Sequence, residues 1–285
     1  MAKHLDFKLI YANGDSWTCG DIVDPDLFGD NLSKVNDPDN KPYRLPRVWP
    51  HKVGKELGIK VINNSHAGAS NDRIFRKTFN DIIELIKNNK PEDILVVIGW
   101  SSPERKDFFY KWHENDSGEW ECLYPGELDH WTSEREELLS FYKLYVKNHW
   151  YPEEFITRHC LNNISLHYFL KSLNIKHIFF NSFYENKEHV LDENKHQLLE
   201  SPKFNTFIED FRKSINRNTL KRLEIDNILE EYNKIYNNVY FKDTFLTYLL
   251  SLDIEEKLVD FHPTEKGHEL WAKHLSSYII KNYEV

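Results

Sequence analysis

Ile94-Leu95-Val96-Val97-Ile98, running into Gly99-Trp100-Ser101, is the most hydrophobic strand candidate in the chain. The run is continuous rather than alternating, the pattern of a strand covered on both faces. Two runs of the same kind lie on either side of it. Phe7 to Ala12 stops at the turn-forming residues Asn13-Gly14-Asp15-Ser16, and Ile175 to Phe180 follows an apparently helical stretch from Pro152 to Leu173. Lys60 to Asn64 reads as a shorter strand and Val239-Tyr240-Phe241 as a fifth. Helices separate them. Trp49 to Leu57 has helical character and stops at Gly58, a residue that caps helix C-termini well. Ser70 is placed to cap a helix whose apolar residues Ile74, Phe75, Phe79, Ile82, Ile83 and Ile86 share one face. Strands alternating with helices imply βαβ units, and so a mostly parallel five-stranded sheet between two helical layers, a three-layer α/β/α sandwich.

Two stretches break the rhythm, about residues 104–150 and 184–235. The first is dense in aromatics and the second is charged and apparently helical. Neither is flanked by a flexible linker, so both read as insertions in a single domain spanning 1–285. Hydrophobic residues at 40% and charged residues at 29% predict a packed globular protein rather than a disordered chain. The formal charge of -9 opposes binding to nucleic-acid backbones and anionic membranes. No apolar run reaches the roughly 18 residues needed to span a bilayer, and the first residues lack the apolar core of a signal peptide, which predicts a cytoplasmic protein. The three cysteines, Cys19, Cys122 and Cys160, form no Cys-x-x-Cys pair. The 14 histidines contain no His-Glu-x-x-His pattern. No metal and no cofactor is expected.

In a parallel α/β sheet, ligands bind beyond the C-terminal ends of the strands. The loops expected there hold Gly14-Asp15-Ser16, Ser65-His66-Ala67-Gly68 and Gly99-Trp100-Ser101, while Asp260-Phe261-His262-Pro263 precedes the last helix. A serine, a glycine-bearing loop and an Asp/His pair at one sheet edge are the parts of an acyl-transfer site. Block by block, in the right order and over nearly the whole chain, this sequence resembles the SGNH, or GDSL-like, hydrolase family. The resemblance implies a flavodoxin-like sandwich with Ser16 as nucleophile, His262 as base and Asp260 as its orienter. It also implies that the backbone N–H groups of Ser16 and Gly68 receive the oxyanion. The activity implied is that of a serine esterase or deacylase acting on a small-molecule or carbohydrate acyl ester through an acyl-Ser16 intermediate.

The sequence departs from the family pattern in two places. Ser101 stands where the family has an asparagine oxyanion donor, and losing one such donor costs on the order of 10²- to 10³-fold in rate. Ser101 itself, Asn71 or Arg105 could compensate. Only one residue separates Asp260 from His262 where two are commoner, a spacing found in acyltransferase branches, so O-acyl transfer to a sugar or other alcohol is the alternative. A binding protein on a decayed hydrolase fold is a second. Asp15 is expected to fix its loop rather than to react, and His66 either touches substrate or holds its loop. Trp17, Trp100 and the aromatics of the first insertion either cover a pocket or fill the core.

Overall fold

The computed structural model describes residues 5–111, 118–123, 136–150, 152–183, 226–255, 257–259 and 262–284. Its central sheet is parallel and is built from β1 (Leu9–Asn13), β2 (Lys60–Asn63), β3 (Ile94–Trp100) and the later strand 176–181 in the order β2-β1-β3-(176–181). All seven residues of β3 are buried, as its unbroken apolar run predicts. Alternation along the strand then divides the core in two. Leu95 and Val97 face one layer with Ile10 and Ala12. Ile94, Val96, Ile98 and Trp100 face the other with Leu9 and Tyr11.

The helices are α1 (Ser16–Cys19), the short α2 (Pro25–Phe28) and α3 (Lys41–Arg44), α4 (Trp49–Leu57), α5 (Asn71–Leu85), α6 (Glu136–His149), α7 (Pro152–Ser172), α8 (Asp226–Val239), α9 (Phe245–Ser251) and α10 (Glu265–Tyr283). Trp49 and Val53 of α4, Phe245 of α9 and Trp271, Leu275 and Ile279 of α10 cover the first face. Ile74 and Ile82 of α5, Leu166 and Leu170 of α7 and Ile235 of α8 cover the second. The result is the three-layer α/β/α arrangement. Caps fall where residue types place them: the Ser70 hydroxyl accepts from Arg73 N–H at 3.1 Å, and Gly58 closes α4 in the left-handed region with φ 70°. No helix among the described residues is long and apolar enough to cross a membrane.

The insertion begins with an antiparallel hairpin, β4 (Lys106–Tyr110) and β5 (Glu119–Leu123), and continues into α6. The strand 176–181 is β6 (Lys176–Asn181), and β7 (Leu258–Val259) pairs antiparallel with β8 (His262–Pro263). The fifth strand expected at 239–241 is one parallel bridge, Phe179 to Tyr240, reinforced by Phe241 N–H donating to Phe179 O at 2.8 Å. Val239 still belongs to α8 and α9 starts at Phe245, so the chain passes the sheet edge too briefly to build a ladder. The bridge takes the outer place beside β6. Of the charged insertion, residues 226–235 are helical and 184–225 lie outside the described residues.

Candidate active site

The strand β1 ends in a turn built by close approach. A Cβ on Gly14 would lie 2.2 Å from Thr18 Oγ1 and 2.9 Å from Gly99 O, and one on Gly99 would lie 2.7 Å from the same Thr18 oxygen. Glycine at both places lets the Thr18 side chain fill the notch between the ends of β1 and β3. The chain then makes the single turn α1. Asp15 caps it, its Oδ1 accepting from Trp17 N–H at 3.0 Å, and Ser16 occupies the first helical position, where no helical carbonyl is available to its N–H.

His262 is brought to Ser16 from the other end of the chain. It pairs with Val259 across β7 and β8, after which Thr264 caps α10 and its N–H donates to Lys257 O at 3.1 Å. Gly267 permits this approach, since a Cβ there would meet Lys257 O at 2.3 Å. His262 Nε2 consequently stands 3.1 Å from Ser16 Oγ. A hydroxyl facing an imidazole nitrogen at this distance can donate its proton as it becomes a nucleophile, provided the ring proton is on Nδ1. The third residue of the expected triad, Asp260, lies outside the described residues.

A second carboxylate reaches the same nitrogen. Asp21 Oδ2 is 3.1 Å from His262 Nε2, its side chain only 18% exposed. Burial raises the Asp21 carboxyl above its ordinary range, and the neighbouring His262 opposes this. Gly20 makes the placement possible: with φ 82° it reverses the chain after α1, and a Cβ there would lie 2.3 Å from Val48 Cγ1.

Asp15 holds the floor of the site. Its Oδ2 accepts from Ser101 Oγ at 2.6 Å and lies 3.4 Å from Arg105 Nη1, while Ser182 Oγ approaches Oδ1 at 3.5 Å. Fully buried and surrounded by donors, it is a structural anchor, as expected. Ser101 is thereby occupied, since a hydroxyl has one hydrogen and this one is given to Asp15. Arg105 Nη1 donates to the Ser101 oxygen at 2.9 Å, closing a three-membered cluster. Asn71 is likewise engaged. Its amide pairs with both backbone groups of Ser101, donating to O at 2.9 Å and accepting from N–H at 2.8 Å, and its Nδ2 also meets His159 Nδ1 at 3.0 Å. Trp100 is fully buried against Phe179 and His159, at 5.6 and 6.0 Å between ring centroids. Trp17 is buried against Phe183 and Phe245. Among the insertion aromatics, Phe108, Tyr142, Tyr145 and Trp150 join a small core of their own. Trp112, Tyr124 and Trp131 lie outside the described residues.

The loop after β2 is tied to the nucleophile turn by His66 N–H, which donates to Gly14 O at 3.1 Å. The His66 ring packs back on the loop with Nδ1 2.7 Å from Ala67 O, and burial together with the Arg73 charge lowers its pKa to about 4. It is therefore neutral at pH 7 and holds the loop. Gly68 follows with φ 86°, a left-handed conformation. Asn36, from the stretch between α2 and α3, clamps the preceding residue, Ala67: Nδ2 donates to Ala67 O at 3.1 Å and Oδ1 accepts from Ala67 N–H at 2.9 Å. Neither Asn36 nor Asp21 was marked by any motif, although the glycine after Cys19 is a visible signal that the chain turns back on Ser16. Among the described residues, no group of three or more His, Cys, Asp or Glu is placed to hold a metal ion.

A family model described as a family of unknown function, DUF6071, matches residues 30–200. None of the curated proteins matches the sequence. Among solved structures, an alpha/beta hydrolase enzyme from the metagenome of Lake Arreo, Spain, is 13% identical, with 98% of this chain and 99% of that chain covered and a TM-score of 0.45. The lipase/acylhydrolase of Enterococcus faecalis is 12% identical, covers 98% of each chain and has a TM-score of 0.44. A GDSL-like lipase from Bacteroides thetaiotaomicron is 14% identical over 96% of this chain and 88% of that one, with a TM-score of 0.41.

Proposed function

The chain belongs to the family of unknown function DUF6071, and we propose that it is a serine esterase or deacylase of the SGNH type. The observation that carries this reading is the 3.1 Å approach of Ser16 Oγ and His262 Nε2 beyond the C-terminal ends of a parallel sheet. In the proposed reaction, His262 Nε2 takes the hydroxyl proton as Ser16 Oγ attacks the carbonyl carbon of an acyl ester. The oxyanion that forms is received by the Ser16 and Gly68 backbone N–H groups. His262 then hands its proton to the departing alcohol, leaving the acyl group on Ser16. A water molecule, deprotonated by the same nitrogen, attacks that acyl group and returns the proton to Ser16. Asp260, two residues before His262 in the sequence, is proposed as the residue that orients the ring. Asp21 does not take this role, because it faces Nε2.

With the Ser101 hydroxyl directed to Asp15 and the Asn71 amide directed to the Ser101 backbone, oxyanion stabilisation falls to backbone donors. Loop geometry then matters more than side-chain chemistry. Asn36→Ala removes both hydrogen bonds on the Ala67 peptide and is expected to lower kcat/KM for an aryl ester about 10- to 100-fold, the scale on which small misplacements act. Steady-state kinetics, with circular dichroism to verify the fold, checks this; an unchanged kcat/KM rejects a role for the clamp.

A serine-directed phosphonate probe tests the assignment as a whole. It is expected to add one phosphonyl group to the wild-type protein, with Ser16 as the modified residue by peptide mass spectrometry. Labelling at another residue, or equal labelling of Ser16→Ala, would refute it.

A further inference from the structure

The contact between Asp21 and His262 raises a question the acyl-transfer scheme leaves open, because one ring nitrogen faces two oxygens. His262 Nε2 lies 3.1 Å from Ser16 Oγ and 3.1 Å from Asp21 Oδ2. A bare imidazole nitrogen accepts one hydrogen bond in the ring plane, and a carboxylate has no hydrogen to give. A 3.1 Å contact between a bare nitrogen and an ionised carboxylate would set lone pair against lone pair. The contact is favourable only with a proton between them, on Asp21 as a carboxylic acid or on Nε2 itself, in the imidazolium or in the neutral Nε2–H tautomer. In each of these states Nε2 cannot accept the Ser16 proton.

We propose that Asp21 is a positioning residue that holds a proton on the Nε2 side of His262 in the resting site, so that the base becomes free only when this shared proton leaves. The inference rests on the proposed roles of Ser16 and His262. The proton balance is simple: where the pair Asp21–His262 carries the extra proton it passes to solvent, and where the ring is the neutral Nε2–H tautomer its proton moves to Nδ1; either leaves Asp21 ionised and Nε2 bare, and Nε2 then takes the proton of Ser16.

The surroundings fit this role. Asp21 follows the turn that carries Ser16 after the single residue Gly20, whose N–H donates to Ser16 O at 2.6 Å, so the carboxylate and the nucleophile have a fixed relation to the ring. Asp21 is acted on by His262, by Asp15, and by the guanidinium groups of Arg105 and Arg44. His262 and the two arginines favour its ionised form, whereas burial and Asp15 favour the protonated one. These opposed influences keep the proton movable. His268, whose Nε2 would lie 3.2 Å from a Cβ on Gly20, is buried, and burial lowers its pKa to about 3, so it does not compete for the proton near neutrality.

The sign of the effect follows. Asp21→Ala removes the negative charge that retains the proton, while Arg44 and Arg105 remain. The base is then freed at lower pH. The acid limb of the kcat/KM profile is expected to move down by about one pH unit, the low end of the range for an adjacent opposite charge, so that kcat/KM well below the limb rises about tenfold. Asp21→Asn, which keeps the side-chain shape, is expected to move the limb in the same direction, and Asp21→Glu to return it towards the wild-type position. An acid limb that stays in place or moves up in both charge-removing variants overturns the proposal.

A second readout does not depend on catalysis. The imidazole resonance assigned to His262 by its disappearance in His262→Ala is followed by NMR across pH. The apparent titration midpoint of the coupled Asp21–His262 pair is expected to fall by a similar amount in Asp21→Ala. An unchanged midpoint overturns the inference even if Ser16 proves to be the nucleophile. A shifted midpoint in a protein that ignores serine probes sustains the Asp21 contact while removing the esterase reading.

Discussion

Ser16→Ala is expected to slow aryl-ester cleavage by roughly 10⁶-fold, the scale seen when the nucleophile of a serine hydrolase is removed. The reason is chemical: the Ser16 hydroxyl stands 3.1 Å from His262 Nε2, and alanine offers neither a proton to that nitrogen nor an oxygen to form the acyl intermediate. His262→Ala is expected to cost nearly as much. The double variant should be no slower than either single one, because nucleophile and base act as a unit and their losses do not add. Burst-phase and steady-state kinetics on the three variants check this. The residual rate, on the order of 10³- to 10⁴-fold over water, would come from backbone donors and binding. If Ser16→Ala retains activity within tenfold of wild type, Ser16 is not the nucleophile. If the two single losses multiply in the double variant, the residues do not act together.

The largest expected effect on stability comes from Asp15. Its buried carboxylate accepts from Trp17 N–H and Ser101 Oγ and faces Ser182 Oγ and Arg105. Asp15→Ala leaves the α1 cap open, two hydroxyls without this acceptor and a part-buried guanidinium without this carboxylate. Breaking one side of a buried charge pair costs about 3–5 kcal/mol. At about 2–4 °C per kcal/mol for a large domain, thermal melting should fall by roughly 6–20 °C. Asp15→Asn is expected to lose less, since an amide oxygen still accepts one of these hydrogen bonds. A melting temperature for Asp15→Ala within 2 °C of wild type would show that the cluster contributes little.

The parallel sheet was legible in the sequence because burial on both faces leaves a continuous apolar run, and β3 is that run. The outer strand position was not. Val239-Tyr240-Phe241 has strand composition, but α8 extends to Val239, and the chain enters α9 a few residues later. Length, not residue type, decides that case. The hairpin β4–β5 was hidden within a stretch marked only by its aromatics, because Phe108 and Phe109 point to opposite faces and composition does not record parity. Parity decides between the two readings of Trp100: it shares the face of Ile94, Val96 and Ile98, and so packs beneath the α5 and α7 layer.

Ser16 and His262 were legible as a pair because each stands in a short motif at an element boundary. Ser101 was not, since the direction of its hydroxyl is set by Asp15, which is distant in sequence. Asn36 lay in a segment without periodicity, where an asparagine that clamps a peptide is indistinguishable from one that faces solvent. Asp21 was missed for a related reason: its partner His262 is reached only through the packing of β8 against α1.

The two asparagine clamps also bear on how the protein ages. Asn36 and Asn71 are each followed by an aspartate, and each places an Nδ2 donor against a peptide carbonyl and an Oδ1 acceptor against a peptide N–H. Deamidation of either side chain exchanges the donor for a second acceptor, so that two oxygens face each other where a hydrogen bond had been. Spontaneous chemistry at either asparagine would therefore loosen the loops that carry Ala67 and Ser101, and under the proposed esterase reading old preparations would lose turnover while the sheet beneath stayed folded.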